Sequence, residues 1–450
     1  MEALMALNSK VNSFVWGPPM LILLVGTGIY LTIRQNWLQV NKFGYSLKMT
    51  LGRLREKGEG VGGEVTPFQA LATAMAGTIG VGNIAGVATA IASGGPGAVF
   101  WMWVSAFFGM VTKYSEAVLA VHSRDVLPDG TVIGGPFKYI EKELNAKWLA
   151  SIFALFGALA AFGIGNMTQS NAIAQVLNTY FNVPHLATGI TLAVLVGAVV
   201  IGGLKSIVKV TEVLVPFMCV FYFLAGIVII IMNIGKVPAA LGLIVNNAFT
   251  GTAAVGGFAG TTVMMAMNKG VARGVFSNEA GLGSAPIVHA AARVKHPVEQ
   301  GFWGIFEVFA DTLVICSITA LSIILTGVWQ TGETGAGLTA LAFGQALPGI
   351  GPYLVTVGVV LFAYSTMLSW EYYGEKCLEY LAGPSIRLGY RILFIPFLIV
   401  GAVGALEAIW DLADTLNGLM AIPNLIGLLG CSPIIFKLTK EYFTEVRNSK

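Results

Sequence analysis

Two glycine-rich stretches interrupt otherwise apolar segments of this chain, and their residue types suit the binding of charged groups by the main chain. The first stretch runs from Gly77 to Asn83 and the second from Gly274 to Gly283. Glycine lets a ligand approach backbone N–H groups closely because it carries no side chain. Each segment has the length of a bilayer crossing, where freed N–H and C=O groups must find partners. The pair of interruptions therefore predicts binding of a small charged solute within the membrane.

The N–H groups of the first interruption predict a site for a carboxylate. A half-helix that ends within the membrane offers unpaired N–H groups and a positive dipole end to an anion. We expect the amides around Thr78, Ile79, Gly80 and Gly82 to supply this site.

The second interruption predicts the complementary site for an ammonium group. Freed carbonyls near Phe276 and Ser277, with the side-chain oxygen of Asn278, are the expected acceptors. Phe276 and Trp370 are candidates to close the pocket, although either ring suits ordinary packing equally well. Gln169 lies in another apolar segment, where a buried amide serves either as a solute contact or as a hydrogen bond between helices.

The composition places these groups in a membrane protein. Of 450 residues, 56% are hydrophobic and only 11% are charged, and the mean hydropathy is +0.77. These values exclude a soluble globular domain. The net charge of +3 does not indicate a nucleic-acid partner, so the lipid bilayer is the expected environment.

The hydropathy pattern predicts an all-α polytopic protein with about eleven membrane spans, at about 20 residues for each crossing. The expected spans are 14–34, 66–92, 97–121, 148–180, 186–203, 209–233, 255–290, 300–328, 352–381, 387–405 and 408–437.

The basic residues predict the orientation of these spans. If residues 35–65 are cytoplasmic, 21 of the 26 lysines and arginines fall on that side, in loops, in the tail or towards the inner ends of spans. Lysine and arginine concentrate on the cytoplasmic side of membrane proteins. We therefore expect a multi-pass protein of the cell membrane with its N-terminus outside and its C-terminus in the cytoplasm.

The two interruptions also predict an internal repeat. They begin equivalent sets of five spans, and an odd number per set inverts the second set in the membrane, an arrangement typical of secondary transporters. The expected divisions are an extra N-terminal span with a basic loop, a first repeat, an extracellular connection, a second repeat and a cytoplasmic tail: 1–65, 66–233, 234–254, 255–437 and 438–450.

Two long motifs carry a resemblance to a known family. They are AGTIGVGNIAGVATAIASGGPGAVFWMWVSAFFGMVTKYSEA at 76–117 and FSNEAGLGSAPIVHAAA at 276–292. The chain resembles the alanine or glycine:cation symporter family through nearly its whole length. The resemblance implies a leucine-transporter fold with a five-plus-five inverted repeat, broken first and sixth core helices and one additional N-terminal helix. It also implies sodium-coupled uptake of alanine and glycine, with sodium as the coupling ion and no other cofactor.

The same resemblance implies positions for the cation. The sodium site common in this fold corresponds here to Ala76, Ile79, Phe362, Ser365 and Thr366. A Ser-Thr pair in a membrane helix also often bonds only to its own preceding turn.

A second cation site is expected at Asn83, together with Thr78 and Ser277.

Ionisable residues within apolar segments are functional hypotheses. Arg273 is expected to close an outer gate against Asp411, with Glu407 and Asp414 as alternative partners.

Four further ionisable residues lie deeper in apolar segments. Lys113 and Glu116, three residues apart, are expected to pair with each other. Glu279, within the second interruption, suits either an ion pair that supports the break or a proton acceptor, and Asp311 has no more specific role assigned from the sequence.

Three alternatives remain at this point. A proton-coupled amino-acid symporter would use the same site with another ion. A channel would show a pore-lining ring repeated among subunits. An enzyme is not expected, because the chain has neither an HExxH nor a GxxxxGK[ST] motif.

Overall fold

The computed structural model describes residues 2–54, 58, 62–253, 255–256, 258–404 and 406–448. These residues are nearly all helical, as the sequence predicts. Within these residues, eight continuous helical stretches are long and apolar enough to cross a membrane. Some of them, such as Lys147–Phe181 and Pro297–Thr326, join two of the helices given below. A bent pair of shorter helices makes a ninth.

The first part of the chain leads into the first interruption and out of it. Its helices are α1 (Glu2–Val15), α2 (Pro18–Arg34), α3 (Leu38–Asn41), α4 (Phe43–Thr50), α5 (Pro67–Thr78), α6 (Val87–Gly94) and α7 (Gly97–His122).

The middle part begins with a short antiparallel hairpin and continues as helices. Its elements are β1 (Asp125–Val126), β2 (Val132–Ile133), α8 (Pro136–Leu144), α9 (Lys147–Phe162), α10 (Thr168–Phe181), α11 (His185–Val200), α12 (Leu204–Met232) and α13 (Val237–Thr250).

The last part contains the second interruption. Its helices are α14 (Val263–Asn278), α15 (Pro286–His289), α16 (Pro297–Val308), α17 (Ser317–Thr326), α18 (Gly335–Ala346), α19 (Gly351–Ala382), α20 (Arg387–Val403), α21 (Leu406–Gly430) and α22 (Ser432–Asn448).

The first interruption is present where the sequence predicts it. Thr66 and Gln69 form a reciprocal capping box that starts α5, and the helix ends at Thr78. The chain resumes as a π-helical turn at Gly82–Gly86 that runs into α6, and the two halves are bent by 49°. A π-turn often marks a functional site because it leaves the regular hydrogen-bonding ladder.

The second interruption begins five residues after the start of the expected glycine stretch. Gly274 lies within α14, which ends at Asn278. Glu279, Gly281 and Gly283 then have φ values of +55°, +89° and +85°. Positive φ at every second residue cannot continue a right-handed helix, so the chain stays irregular until α15 begins at Pro286.

Several expected spans differ in length from the observed helices. The segments at 186–203 and 255–290 contain helices of only 16 residues each, α11 and α14. The segment at 408–437 is divided, because α21 ends at Gly430 and α22 begins at Ser432. Pro433 has no N–H to donate, which suits the first turn of the new helix.

The helices that carry the two interruptions pack closely on their neighbours. α5 lies against α12 and α19, and α14 lies against α7. A Cβ on Gly274 would stand 2.5 Å from the hydroxyl oxygen of Ser105 on α7. Small residues at such contacts allow membrane helices to approach one another.

Candidate functional site

The end of α5 meets the middle of α19 at a group of buried oxygen atoms. The Ala76 carbonyl lies 3.0 Å from the Thr366 hydroxyl and 3.3 Å from the Ser365 hydroxyl. Both hydroxyls also lie 2.9 Å from the Phe362 carbonyl on their own helix. We call Ala76, Phe362, Ser365 and Thr366 the α5–α19 oxygen cluster.

This oxygen cluster is suited to a hard cation. Carbonyl and hydroxyl oxygens are the ligands such ions take, and all four residues are buried. Ile79, the remaining residue expected here, is also buried and has the non-helical φ and ψ of −80° and 85° just past the end of α5. The structure thus brings together the residues that the resemblance implied.

A second polar cluster surrounds Asp311 in a π-helical segment, Phe309–Cys316. One carboxylate oxygen lies 2.6 Å from the side-chain amide nitrogen of Asn83, and the Ser277 hydroxyl lies 2.9 Å from the other. The Thr312 hydroxyl donates to this second oxygen at 2.6 Å. We call Asn83, Ser277, Asp311 and Thr312 the Asp311 cluster. Through one fully buried carboxylate, it joins the first interruption to the last turn of α14, just before the second interruption.

Sequence reasoning placed Asn83 and Ser277 together but missed Asp311 as their shared partner. The available signal was an acidic residue within the apolar run FADTLVIC, and nothing in that run indicates which other segment it faces.

Between the two clusters, the glycines of the first interruption approach the other predicted solute contacts. The Gly80 N–H donates to the Asn83 side-chain oxygen at 2.9 Å, and a Cβ on Gly80 would stand 2.6 Å from the Thr366 hydroxyl. A Cβ on Gly82 would stand 3.2 Å from the Phe276 ring. The side-chain oxygen of Gln169 lies 3.6 Å from the same Cβ position on Gly80. These residues form one compact region.

Three other predicted contacts have their polar atoms engaged elsewhere. The Thr78 hydroxyl donates to the Ala74 carbonyl in its own helix at 3.3 Å. The Asn278 amide donates to the Thr312 hydroxyl at 3.0 Å, and the Trp370 indole donates to Glu279 at 2.8 Å. Trp370 and Asn278 therefore hold the second interruption in place in this conformation.

A cavity of about 620 Å³ borders the first interruption on the side where α6 ends. It reaches Val81, whose N–H lies 3.5 Å from the Gln169 side-chain oxygen. The residues lining it are Val81, Ala85, Gly86, Thr89, Ala172, Gln175, Val176, Thr179, Tyr180, Arg273, Thr334, Gly335, Ala336, Gly337 and Asp411.

Both expected gate residues, Arg273 and Asp411, line this cavity, but the ion pair of Arg273 is with the alternative partner Asp414, at 3.3 Å. The Arg273 guanidinium also lies 5.3 Å from the centre of the Phe276 ring. The side chain of Glu407 lies outside the described residues.

A family comparison decides what kind of protein carries these clusters. The model of the sodium:alanine symporter family matches residues 1–450. The chain belongs to the sodium:alanine symporter family. It is therefore a transporter rather than an enzyme.

Relatives of this symporter match over nearly their full length. The sodium/alanine symporter AgcS of Methanococcus maripaludis is 51% identical, over 99% of this chain and 98% of its own. An uncharacterized transporter of Haemophilus influenzae is 48% identical, over 98% of this chain and 96% of its own.

A solved structure shows the fold of the symporter. The crystal structure of MhsT in complex with L-phenylalanine superimposes with a TM-score of 0.62 at 14% sequence identity. The match covers 82% of this chain and 89% of MhsT, which has the leucine-transporter fold. This match confirms the leucine-transporter fold that the sequence resemblance implies.

Next to α15, the short helix that follows the second interruption, the symporter contains a network of buried charged side chains. Lys113 pairs with Glu307 at 3.3 Å, and the other Glu307 oxygen lies 2.7 Å from His289. The expected pairing of Lys113 with Glu116 is wrong, because Glu116 accepts from the Asn424 amide at 2.6 Å instead. The network ties α7, α15 and α16 together where the second interruption leaves only one turn of helix.

At the end opposite the cavity, the β1–β2 hairpin is fixed to the ends of the long helices. Arg387 pairs with Asp129 of the hairpin at 3.0 Å and with Glu379 of α19 at 2.5 Å. Hydrogen bonds from Thr131, strengthened by Arg387, hold the pKa of Asp129 well below its usual range. The hairpin therefore carries a charge at neutral pH that keeps it attached to α19 and α20.

A buried carboxyl group attaches the hairpin to the start of α5 as well. The Glu64 side chain accepts from the Val132 N–H at 2.5 Å. Burial raises the pKa of Glu64, and the Val132 hydrogen bond offsets part of that rise. The segment that enters the first interruption is thus held by the hairpin.

Proposed function

We propose that this symporter carries alanine, and also glycine, into the cell together with sodium by alternating access. The observation that carries the proposal is the α5–α19 oxygen cluster, where the end of a broken helix meets two hydroxyls of another helix. A binding site built between two helices changes when those helices move apart, so an ion bound there favours one arrangement of them.

Sodium is the coupling ion best supported by this cluster. The Ala76 and Phe362 carbonyls and the Ser365 and Thr366 hydroxyls are neutral oxygens, which replace part of the hydration shell of a small cation. The sodium:alanine symporter AgcS, 51% identical over nearly the whole chain, gives independent support.

We place a second cation at the Asp311 cluster. A carboxylate that is fully buried needs a compensating positive charge or a proton. Ser277, in the last turn of α14, supplies a hydroxyl oxygen there, whereas the side-chain nitrogen of Asn83 donates to the carboxylate and its oxygen accepts from the Gly80 N–H. Sodium at this position would touch the substrate region, whereas a proton on Asp311 would make the cotransport partly proton-coupled; the experiment below separates the two outcomes.

The amino acid is placed between the clusters. Its carboxylate would meet the N–H groups around Gly80, Val81 and Gly82, and its ammonium group would face the carbonyls at Phe276 and Ser277. Phe276 packs close to Gly82, so we expect the site to accept a methyl group or a hydrogen and to disfavour larger side chains.

The energetics favour a substrate whose affinity depends on sodium. Micromolar binding requires about −8 kcal/mol, which for alanine is about −1.4 kcal/mol for each non-hydrogen atom. That value is close to the limit observed for very small ligands. Apolar contact cannot supply it, so the charged ends of alanine must meet fixed dipoles and a neighbouring cation.

The sodium gradient is sufficient to drive accumulation. One positive charge entering across about 100 mV releases about 2.3 kcal/mol. A tenfold concentration gradient adds about 1.4 kcal/mol. Together these values support accumulation of several hundredfold for each sodium transported.

The conformation supports access from one side. The cavity lies at the end where α6 terminates, and the hairpin contacts of Asp129 and Glu64 close the opposite end. With the N-terminus outside, as the basic residues favour, the cavity faces the exterior. We infer that the first and sixth core helices, which begin the two inverted repeats of five spans at 66–233 and 255–437, move against the other helices, within about eleven spans in total.

Uptake of radiolabelled alanine into proteoliposomes, with sodium and pH varied separately, tests this function. We expect uptake with an inward sodium gradient at clamped pH, competition by unlabelled glycine, and no uptake without sodium. Uptake driven by a pH gradient alone would support the proton-coupled alternative, and single-channel currents would indicate a channel.

A further inference from the structure

A basic cavity lies at the end of the molecule that is rich in lysine and arginine, away from the substrate region. Its volume is about 520 Å³, and it is formed between the end of α2, the short helix α3 and the amphipathic helix α22. Among the described residues, no acidic side chain lines it. The lining residues are Arg34, Gln35, Asn36, Leu38, Asn41, Lys42, Phe436, Thr439, Lys440 and Phe443.

From this cavity we infer a binding site for the headgroup of an anionic phospholipid, one that joins a phosphodiester to free hydroxyls. The site is independent of the transport function proposed above.

Two cations are held in place at the cavity by aromatic rings. The Arg34 guanidinium lies 5.2 Å from the centre of the Phe436 ring, and the Lys42 ammonium lies 4.8 Å from that of Phe443. The two rings are seven residues apart, so they lie on one face of α22. Arg34 and Lys42 are exposed and make no ion pair with an acidic side chain in the described part of the chain. An anionic headgroup would supply the missing counter-charge.

The floor of the cavity offers an acceptor as well. The side-chain nitrogen of Gln35 donates to the Ser115 hydroxyl at 3.0 Å, whereas its side-chain oxygen is buried without a hydrogen-bond partner in the described structure. A carbonyl oxygen would repel a bare phosphate but would accept from a hydroxyl. This combination favours a headgroup such as glycerol joined to a phosphate.

The neighbouring surface is suited to the acyl chains of the lipid. Ile22, Ile29 and Ile33 on α2 are exposed by 72%, 38% and 59% and recur at helical spacing on one face that leads to Arg34. Trp37, 48% exposed, stands beside the cavity, as aromatic residues do at the membrane interface. A free phosphate ion would make no use of this stripe, so the occupant is a lipid.

The cavity walls are fixed rather than formed by a loose tail. The Tyr114 hydroxyl lies 2.9 Å from that of Thr439, and the hydroxyls of Tyr45 and Tyr442 lie 2.8 Å apart. These contacts hold α22 against the transmembrane helix α7 and the short helix α4. A basic pocket between helices at the inner membrane surface is a known type of anionic lipid site.

Native mass spectrometry of the full-length protein in neutral detergent, titrated with phosphatidylglycerol, tests the inference. Each of Arg34→Gln, Lys42→Gln and Lys440→Gln should weaken lipid binding about fivefold, the contribution of one cation near an anionic surface. Lys437→Gln is the matched control, because Lys437 lies on α22 outside the cavity and pairs with Glu441. It should leave binding unchanged.

Charge-keeping variants and other ligands distinguish the outcomes. Arg34→Lys and Lys42→Arg should retain binding, which separates loss of charge from loss of folding. Phosphatidylcholine should bind at least tenfold more weakly, and inorganic phosphate should not displace the lipid at equal concentration. Equal binding of phosphatidylcholine, displacement by inorganic phosphate, or unchanged binding by the triple glutamine variant would overturn the assignment.

Discussion

The side-chain amide of Asn83 lies 2.6 Å from a carboxylate oxygen of Asp311 and thereby joins the first interruption to the π-helical segment after α16. The Asn83 oxygen accepts at the same time from the Gly80 N–H, at 2.9 Å. Ser277, in the last turn of α14 before the second interruption, donates to the same carboxylate. One buried acidic group therefore contacts both parts of the proposed substrate region, so a cation bound at Asp311 would alter substrate affinity.

The first prediction concerns the charge of Asp311. Asp311→Asn should raise the sodium concentration for half-maximal alanine uptake about tenfold or more, because a hydrogen bond to a charged group contributes about 1.5–3 kcal/mol. The Hill coefficient for sodium should fall as well. Uptake measured over a sodium titration checks this. The double variant Asn83→Asp with Asp311→Asn keeps the total charge and should restore part of the sodium affinity. An unchanged sodium titration in Asp311→Asn would remove Asp311 from the cation site.

The second prediction concerns the α5–α19 oxygen cluster. Thr366→Val keeps the shape of the side chain but removes the hydroxyl that meets the Ala76 carbonyl, and should weaken sodium affinity by about tenfold. Thr356→Val is the control, because the Thr356 hydroxyl lies on the same helix and bonds only to the Pro352 carbonyl, at 2.9 Å. Sodium-induced thermal stabilisation of the purified variants reports the effect. Equal losses in both variants would mean that the hydroxyl acts only within α19.

The third prediction concerns the close approach at Gly80. Gly80→Ala would place a methyl group 2.6 Å from the Thr366 hydroxyl, so we expect alanine uptake to fall by about 100-fold or more. Gly86→Ala provides the comparison, because a Cβ on Gly86 meets no atom within 4 Å. Initial uptake rates at matched protein amounts in the membrane measure the difference. If Gly80→Ala transports alanine as fast as Gly86→Ala, the close approach of Gly80 to Thr366 is not required for transport.

The fourth prediction concerns the hairpin at the closed end. Asp129→Asn removes the ion pair with Arg387 and should raise the rate at which an introduced Val132→Cys reacts with a thiol reagent about two- to fivefold, as expected for one exposed ion pair. The lowered pKa of Asp129 means that its contribution is present above the usual aspartate pKa and is lost only as the pH falls through the lowered value. The effect should therefore be the same at pH 6.5 and 8. The thiol reacts faster at the higher pH in every variant, so the ratio of the two rates, with and without Asp129→Asn, is compared. A ratio that changes strongly between these pH values would contradict the assignment. Glu445→Gln on α22 serves as the control.

Much of the fold and part of the site were predictable because bilayer physics restricts the sequence strongly. Segment length and hydropathy indicated a polytopic helical protein, and glycine clusters indicated where its helices break. Ala76, Phe362, Ser365 and Thr366 meet as the family resemblance implied. Their contact could not be read from the residues alone, because nearly 300 residues separate the two segments.

The errors came from contacts that sequence spacing does not encode. Lys113 and Glu116 lie on one helical face, but Glu307 of α16 is the nearer partner of Lys113. Sequence spacing also does not encode the hydrogen bond from the Trp370 indole to Glu279, and the role of the Trp370 ring at the pocket stays a prediction. The role of Asp311 depends on a π-helical segment that redirects its side chain towards Asn83, and hydropathy does not reveal such a segment.

The central claim is that sodium and alanine cross together through the broken helices, and entry of radioactive sodium into proteoliposomes measures it most directly. With the pH clamped and a protonophore present, added alanine should accelerate sodium entry in the wild type, and Thr366→Val should reduce that alanine-dependent part at low sodium. Sodium entry that does not respond to alanine, while alanine itself is still taken up, would contradict the account.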